Sequence, residues 1–137
     1  MKPPLIRKDL VYPELSYKLI GYAYEVFNEL GPGHSEKTYT KAYAIMLRKN
    51  GHEFKEQVYY PVRFKNEVVN RAFLDFVVEK IIVIEMKKNV PFSKTHIDQA
   101  LEYIKNSKLK LAILTSFTND GVRFKRIVNV DQTISKE

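Results

Sequence analysis

"IIVIEMKKN", residues 81–89, opens as an unbroken apolar, β-branched run and then sets Glu85 and Lys87 where the same run would still be buried. Side chains alternate across a strand, so Val83, Glu85 and Lys87 share one face, and Ile82, Ile84 and Met86 share the other. In the preceding stretch "VNRAFLDFVV" (69–78), Phe73, Asp75 and Val77 alternate with Leu74, Phe76 and Val78. A hairpin centred on Lys80 puts Asp75 opposite Glu85, with Cβ atoms about 5 Å apart. The same register gathers Leu74, Phe76, Val78, Ile82, Ile84 and Met86 on one wholly apolar face. A two-residue turn would send the acids to opposite faces, so an odd-numbered loop or a bulge is predicted.

Two carboxylates this close disfavour each other's charge. A divalent cation removes the conflict, and hard oxygen ligands suit Mg²⁺, with Mn²⁺ able to substitute. Lys87, next along that face, could hold a metal-polarised water or stabilise an oxyanion. The competing reading is that Glu85 and Lys87 face solvent at a strand end and pair with each other.

Outward from this pair of strands, residues 1–13 hold three of the six prolines and read as an extended N-terminal arm. A helical stripe follows at Leu15, Leu19, Tyr22, Val26 and Leu30, and "GPG" at 31–33 ends it. Ser35 is the expected N-cap of a second helix with the stripe Tyr39, Ala42, Tyr43, Met46 and Leu47, closed by Asn50-Gly51. "QVYYPVRF" (57–64) reads as a strand, with "KNE" (65–67) as the turn into the next. A third helix runs from about Ser93 to Ser107 with Ile97, Ala100, Leu101 and Ile104 inward. "LKLAILTSF" and "VRFKRIVNV" are two further strands around "TNDG". The order α-α-β-β-β-α-β-β describes one α/β domain over residues 14–130, a mixed sheet covered by helices, followed by a tail at 131–137.

The chain of 137 residues is 45% hydrophobic and 28% charged, the balance of a globular protein. No apolar run reaches the ~18 residues of a membrane span, and "MKPPLIRKDL" lacks the apolar segment of a secretory signal. Absence of cysteine excludes disulfides and thiolate metal sites and suits a reducing cytoplasm. A net charge of +7 favours polyanionic partners, nucleic acid foremost. The basic residues are scattered, however, and could serve solubility alone.

An acid on one strand and E-x-K on the next resembles the signature of the PD-(D/E)XK nuclease superfamily. Two further segments sharpen the likeness. "GHSEKTY" (33–39) resembles the motif of GxxExxY proteins through Gly33, Glu36 and Tyr39. "HIDQALEYIK" resembles the H-x-x-Q-x-x-x-Y helix through His96, Gln99 and Tyr103. Leu74 stands where the superfamily name has proline. The resemblance implies a restriction-endonuclease-like core and a metal-dependent nuclease, acting on DNA in preference to RNA. It implies that Glu36 completes a metal site made by Asp75, Glu85 and the Met86 carbonyl, and that Lys87 is the catalytic lysine. Gln99 and Tyr103, with Tyr39 and His96, would support the site or touch the strand. Each also has a plain structural reading: Tyr39 as core, Glu36 as a favourable charge at a helix start, His96 as a surface histidine. The partner expected is nucleic acid and not membrane, with a homodimer or second protein supplying specificity. The alternatives are a non-cleaving nucleic-acid-binding module and a protein-interaction domain on the same fold.

Overall fold

The computed structural model describes residues 11–89 and 92–130; most of the proposed arm and the whole C-terminal tail lie outside these residues. The elements are α1 (Pro13–Leu30), α2 (Glu36–Lys49), β1 (Phe54–Phe64), β2 (Glu67–Val78), β3 (Ile82–Lys88), α3 (Lys94–Asn106), β4 (Leu111–Thr118) and β5 (Gly121–Val128), in the order read from the sequence. Local chemistry accounts for several boundaries. Pro13, with no N–H to leave unpaired, opens α1 one residue earlier than expected. Ser35 and Ser93 cap α2 and α3, their Oγ atoms accepting the amides of Thr38 and His96 at 3.1 Å each.

The five strands lie in the order β1-β2-β3-β4-β5. Only β3 and β4 run parallel, because α3 carries the chain back between them; the other neighbours are antiparallel. The sheet is therefore mixed. Helices α1 and α2 cover one face, where Leu19, Tyr43 and Leu47 pack on Phe76, Val78, Ile82, Ile84 and Met86. On the other face α3 brings Ala100 and Ile104 onto Val83, Ala112 and Leu114. Fully burying one such aliphatic side chain contributes about 1.5–3 kcal/mol, so both helical layers are held mainly by apolar contact. Tyr43 satisfies its one polar atom by donating to the Leu19 carbonyl at 2.7 Å.

The hairpin between β2 and β3 has the predicted register: Phe76, Val77 and Val78 face Ile84, Val83 and Ile82. Its loop is odd, Glu79-Lys80-Ile81, with Glu79 and Lys80 at φ of 55° and 61°. Hydrogen bonds anchor it. The Glu79 amide donates to the Glu53 carbonyl at 2.8 Å, and His52 lies between the Glu79 carboxylate (3.0 Å) and the Tyr22 hydroxyl (2.7 Å).

One expectation is corrected. Leu74 does not join Phe76 and Val78 on the apolar face; it is buried with Val83, Ala100 and Ile104 beneath α3, on the same side as Val77. Residues 74 and 77 would face opposite ways in a regular strand. The strand thus rolls over at Asp75, and Gln57, across from it on β1, takes a left-handed φ of 50°. Local irregularities of this kind re-aim side chains.

Candidate active site

Backbone pairing between β2 and β3 covers only three residue pairs, and at the next position side chains replace it. The Asp75 amide donates to Glu85 Oε1 at 2.8 Å, and the Met86 amide donates to Asp75 Oδ2 at 2.7 Å. Both carboxylates therefore sit in the opening where the strands part. Gln57 Nε2 adds a longer bond to Asp75 Oδ1, 3.3 Å. Strand β3 continues beside β4 as far as Lys88, which keeps Glu85 and Lys87 on a supported strand.

The electrostatics of the pair are unbalanced. Burial, and then the charge of Asp75, push the Glu85 carboxyl up to about 8; the Asp75 amide and the Lys87 charge pull the other way. A group so poised near neutrality is a functional-site signal. His96 reports the rest of the arrangement. Burial and the charge of Lys87 lower its pKa, while the charge of Glu36 opposes them. Its Nδ1 is buried and has no hydrogen-bond partner among the described residues. The start of α2, the end of β3 and the start of α3 are thus within electrostatic reach of one another.

Tyr39 anchors the start of α2, where Glu36 itself is exposed. Its ring is 1% exposed and stacks on Phe117 of β4 with centroids 4.3 Å apart. Its hydroxyl donates to the Gly31 carbonyl at 2.7 Å and accepts the His34 amide at 3.3 Å. Phe117 is the register partner of Lys88. One side chain therefore ties the loop before α2 to the strand beside β3. Gly33, at φ 94°, supplies the left-handed turn that this loop needs. Buried in this way, Tyr39 is a core residue with almost no surface to offer a ligand. Tyr39→Phe is expected to cost about 1 kcal/mol, the net worth of a hydrogen bond, with the stacking retained; urea denaturation midpoints measure it.

Not every expected residue joins the acids. Tyr103 packs edge-on against Tyr60 of β1, centroids 5.8 Å apart, and with Phe54, Val77 and Lys80 lines a separate cavity of about 600 Å³. Gln99 is half-buried on α3, on the helix face shared with His96 and Tyr103. Gln57 escaped sequence reading because its role depends on the pairing of β1 with β2. Among the described residues no three His, Asp or Glu side chains form a ready-made metal cage. The donor set still fits a Mg²⁺-like ion, which is commonly held by one or two carboxylates together with substrate phosphate and water.

A five-strand mixed sheet between helical layers, with the acid pair where two strands separate, defines a restriction-endonuclease-like α/β protein. A family model of the PD-(D/E)XK nuclease superfamily matches residues 13–127, and the chain belongs to that superfamily. Among solved structures it is similar to SSO0001, with 17% identity over 92% of this chain and 67% of that one and a TM-score of 0.51. It is also similar to an alkaline exonuclease (LHK-Exo) from Laribacter hongkongensis, with 14% identity, coverage of 83% and 79%, and a TM-score of 0.40. At 17% identity the likeness to SSO0001 is one of fold. Comparison with curated proteins gives no match.

Proposed function

We propose that the protein is a divalent-metal-dependent nuclease of the GxxExxY type, hydrolysing phosphodiester bonds, with DNA as the preferred substrate. The observation that carries this reading is the juxtaposition of Asp75 and Glu85, with Glu85 held near neutrality by burial and by its neighbour. Asp75 and Glu85 would hold the ion, with the Met86 carbonyl and Glu36 completing its surroundings. When bound, Mg²⁺ or Mn²⁺ lowers the pKa of a coordinated water and neutralises charge on the phosphate. The chain's own residues do the remainder. The amides of Asp75 and Met86 fix the carboxylates in place, and Gln57 steadies the outer oxygen of Asp75. Lys87 orients the attacking water or meets charge developing on the phosphate oxygens. Burial and the charge of Lys87 both disfavour a proton on His96, which limits competing positive charge there. The excess of 7 positive charges draws in the phosphate backbone without reading sequence.

The test is cleavage of labelled single- and double-stranded DNA and RNA with Mg²⁺, Mn²⁺, Ca²⁺ or EDTA. Wild-type protein should cut DNA with Mg²⁺ or Mn²⁺ and not in EDTA. Asp75→Asn should reduce the rate at least about 100-fold. Tight binding with no cutting under any metal would instead make the protein a binding module.

A further inference from the structure

The β1–β2 hairpin reaches beyond the sheet. Pairing of β1 with β2 runs from Phe54–Val78 out to Phe64–Glu67, whereas β2 meets β3 only through Phe76, Val77 and Val78. A two-stranded ribbon of this sort is marginally stable in water by itself, and a polar outer surface would suit it. This one exposes large apolar side chains instead: Tyr59 (46%), Phe64 (63%), Val69 (61%) and Phe73 (49%). Tyr59 and Phe73 are directly cross-strand, ring centroids 5.7 Å apart, and form a small aromatic platform.

Cations accompany the rings. Arg71, two residues before Phe73, shares its ribbon face, and the Lys65 ammonium sits 5.5 Å from the Phe64 ring centre. Within residues 58–74 the sole carboxylate is that of Glu67, at the tip; Glu102 of α3 lies beside Tyr60, whose side chain alternates to the face opposite Phe73. The platform also has a direction, since Phe73 is two residues from Asp75 and Tyr59 is two residues from Gln57, which bonds to Asp75.

We infer that the ribbon is a binding surface for single-stranded nucleic acid, with unpaired bases stacking on Tyr59 and Phe73 and phosphates met by Arg71 and Lys65. Exposed rings flanked by cations suit a single strand, because every unpaired base offers a free face to stack. A duplex keeps those faces occupied and offers the ribbon its phosphates alone. The inference rests on the nuclease reading only in taking the strand onward from the ribbon to Asp75 and Glu85.

Fluorescence anisotropy of the full chain in EDTA, where metal-dependent cutting is suppressed, tests it with a labelled oligothymidylate and a duplex of equal length. The wild type should prefer the single strand. The Tyr59→Ala/Phe73→Ala double variant should lose single-strand affinity about tenfold or more, with little change toward duplex. The Tyr59→Leu/Phe73→Leu variant keeps the apolar surface and should lose affinity equally, which guards against an unfolded ribbon. Undiminished single-strand binding in the folded leucine variant overturns the proposal. So does sedimentation showing that the alanine variant loses self-association while keeping its affinity, which would make the face a protein interface. Single-strand binding that depends on the rings without cutting under any metal upholds the ribbon and removes the nuclease reading. Cutting and binding that both ignore the rings remove the ribbon and leave the nuclease.

Discussion

Lys87→Ala is expected to lower DNA cleavage by about 10²- to 10³-fold, the usual loss when one charge-stabilising donor is taken from a reacting phosphate or oxyanion. The fold should survive, since Lys87 stands half-buried near the end of β3 and outside both apolar clusters. The substitution also carries a readout that does not depend on turnover. Lys87 lowers the pKa of His96 and opposes the rise at Glu85. Without its charge both groups should titrate at higher pH, and the His96 ring can be followed by NMR. A folded Lys87→Ala protein that cuts at the wild-type rate would move the chemistry elsewhere in the molecule.

Glu85→Gln should have the largest effect on stability, and its size depends on pH. In the folded protein the Glu85 carboxyl is pushed up to about 8 by burial and then by Asp75, against an ordinary glutamate value of 4.5. Between those values the folded chain holds a proton that the unfolded chain has released. Metal-free stability is therefore greatest on the acid side of this window and is lost as pH rises toward 8. At about 1.4 kcal/mol per pH unit, the loss is on the order of 3–5 kcal/mol. In EDTA the wild type should thus melt about 10 °C lower at pH 8.5 than its Glu85→Gln variant, while the two converge near pH 4.5. Added Mn²⁺ should recover much of that deficit in the wild type and none in the variant, because an ion that binds only the folded state stabilises it by mass action. Parallel melting curves for the two proteins across the whole range, unaffected by Mn²⁺, would mean that Glu85 neither carries the raised pKa nor binds the ion.

Much of the architecture was legible in the sequence where a single local rule governed it. Ser35 and Ser93 cap helices because an extended residue with a short hydroxyl side chain can accept an orphan amide. The β2–β3 register was legible because alternation admits one hairpin that closes an apolar face, and the three-residue loop follows from that parity. The face change at Leu74 was not, since no local pattern marks it; it lies beside Asp75, opposite the left-handed backbone of Gln57 on β1. Nor could the motif H-x-x-Q-x-x-x-Y disclose that α3 spreads its residues apart. His96 shares a field with Lys87 and Glu36, while Tyr103, two turns on, packs against Tyr60.

The sequence by itself determined the order of elements, the inward faces of the helices and the sharing of one hairpin level by Asp75 and Glu85. These depend on periodicity and on capping or turn residues, which act over a few positions. Only the tertiary structure decided that β2 leaves β3 at that level, so that amides are free to hold the two carboxylates, and that β1 and β2 run on as an exposed ribbon. Whether a strand has a third neighbour is settled by segments remote in sequence, and no local pattern of side chains encodes it.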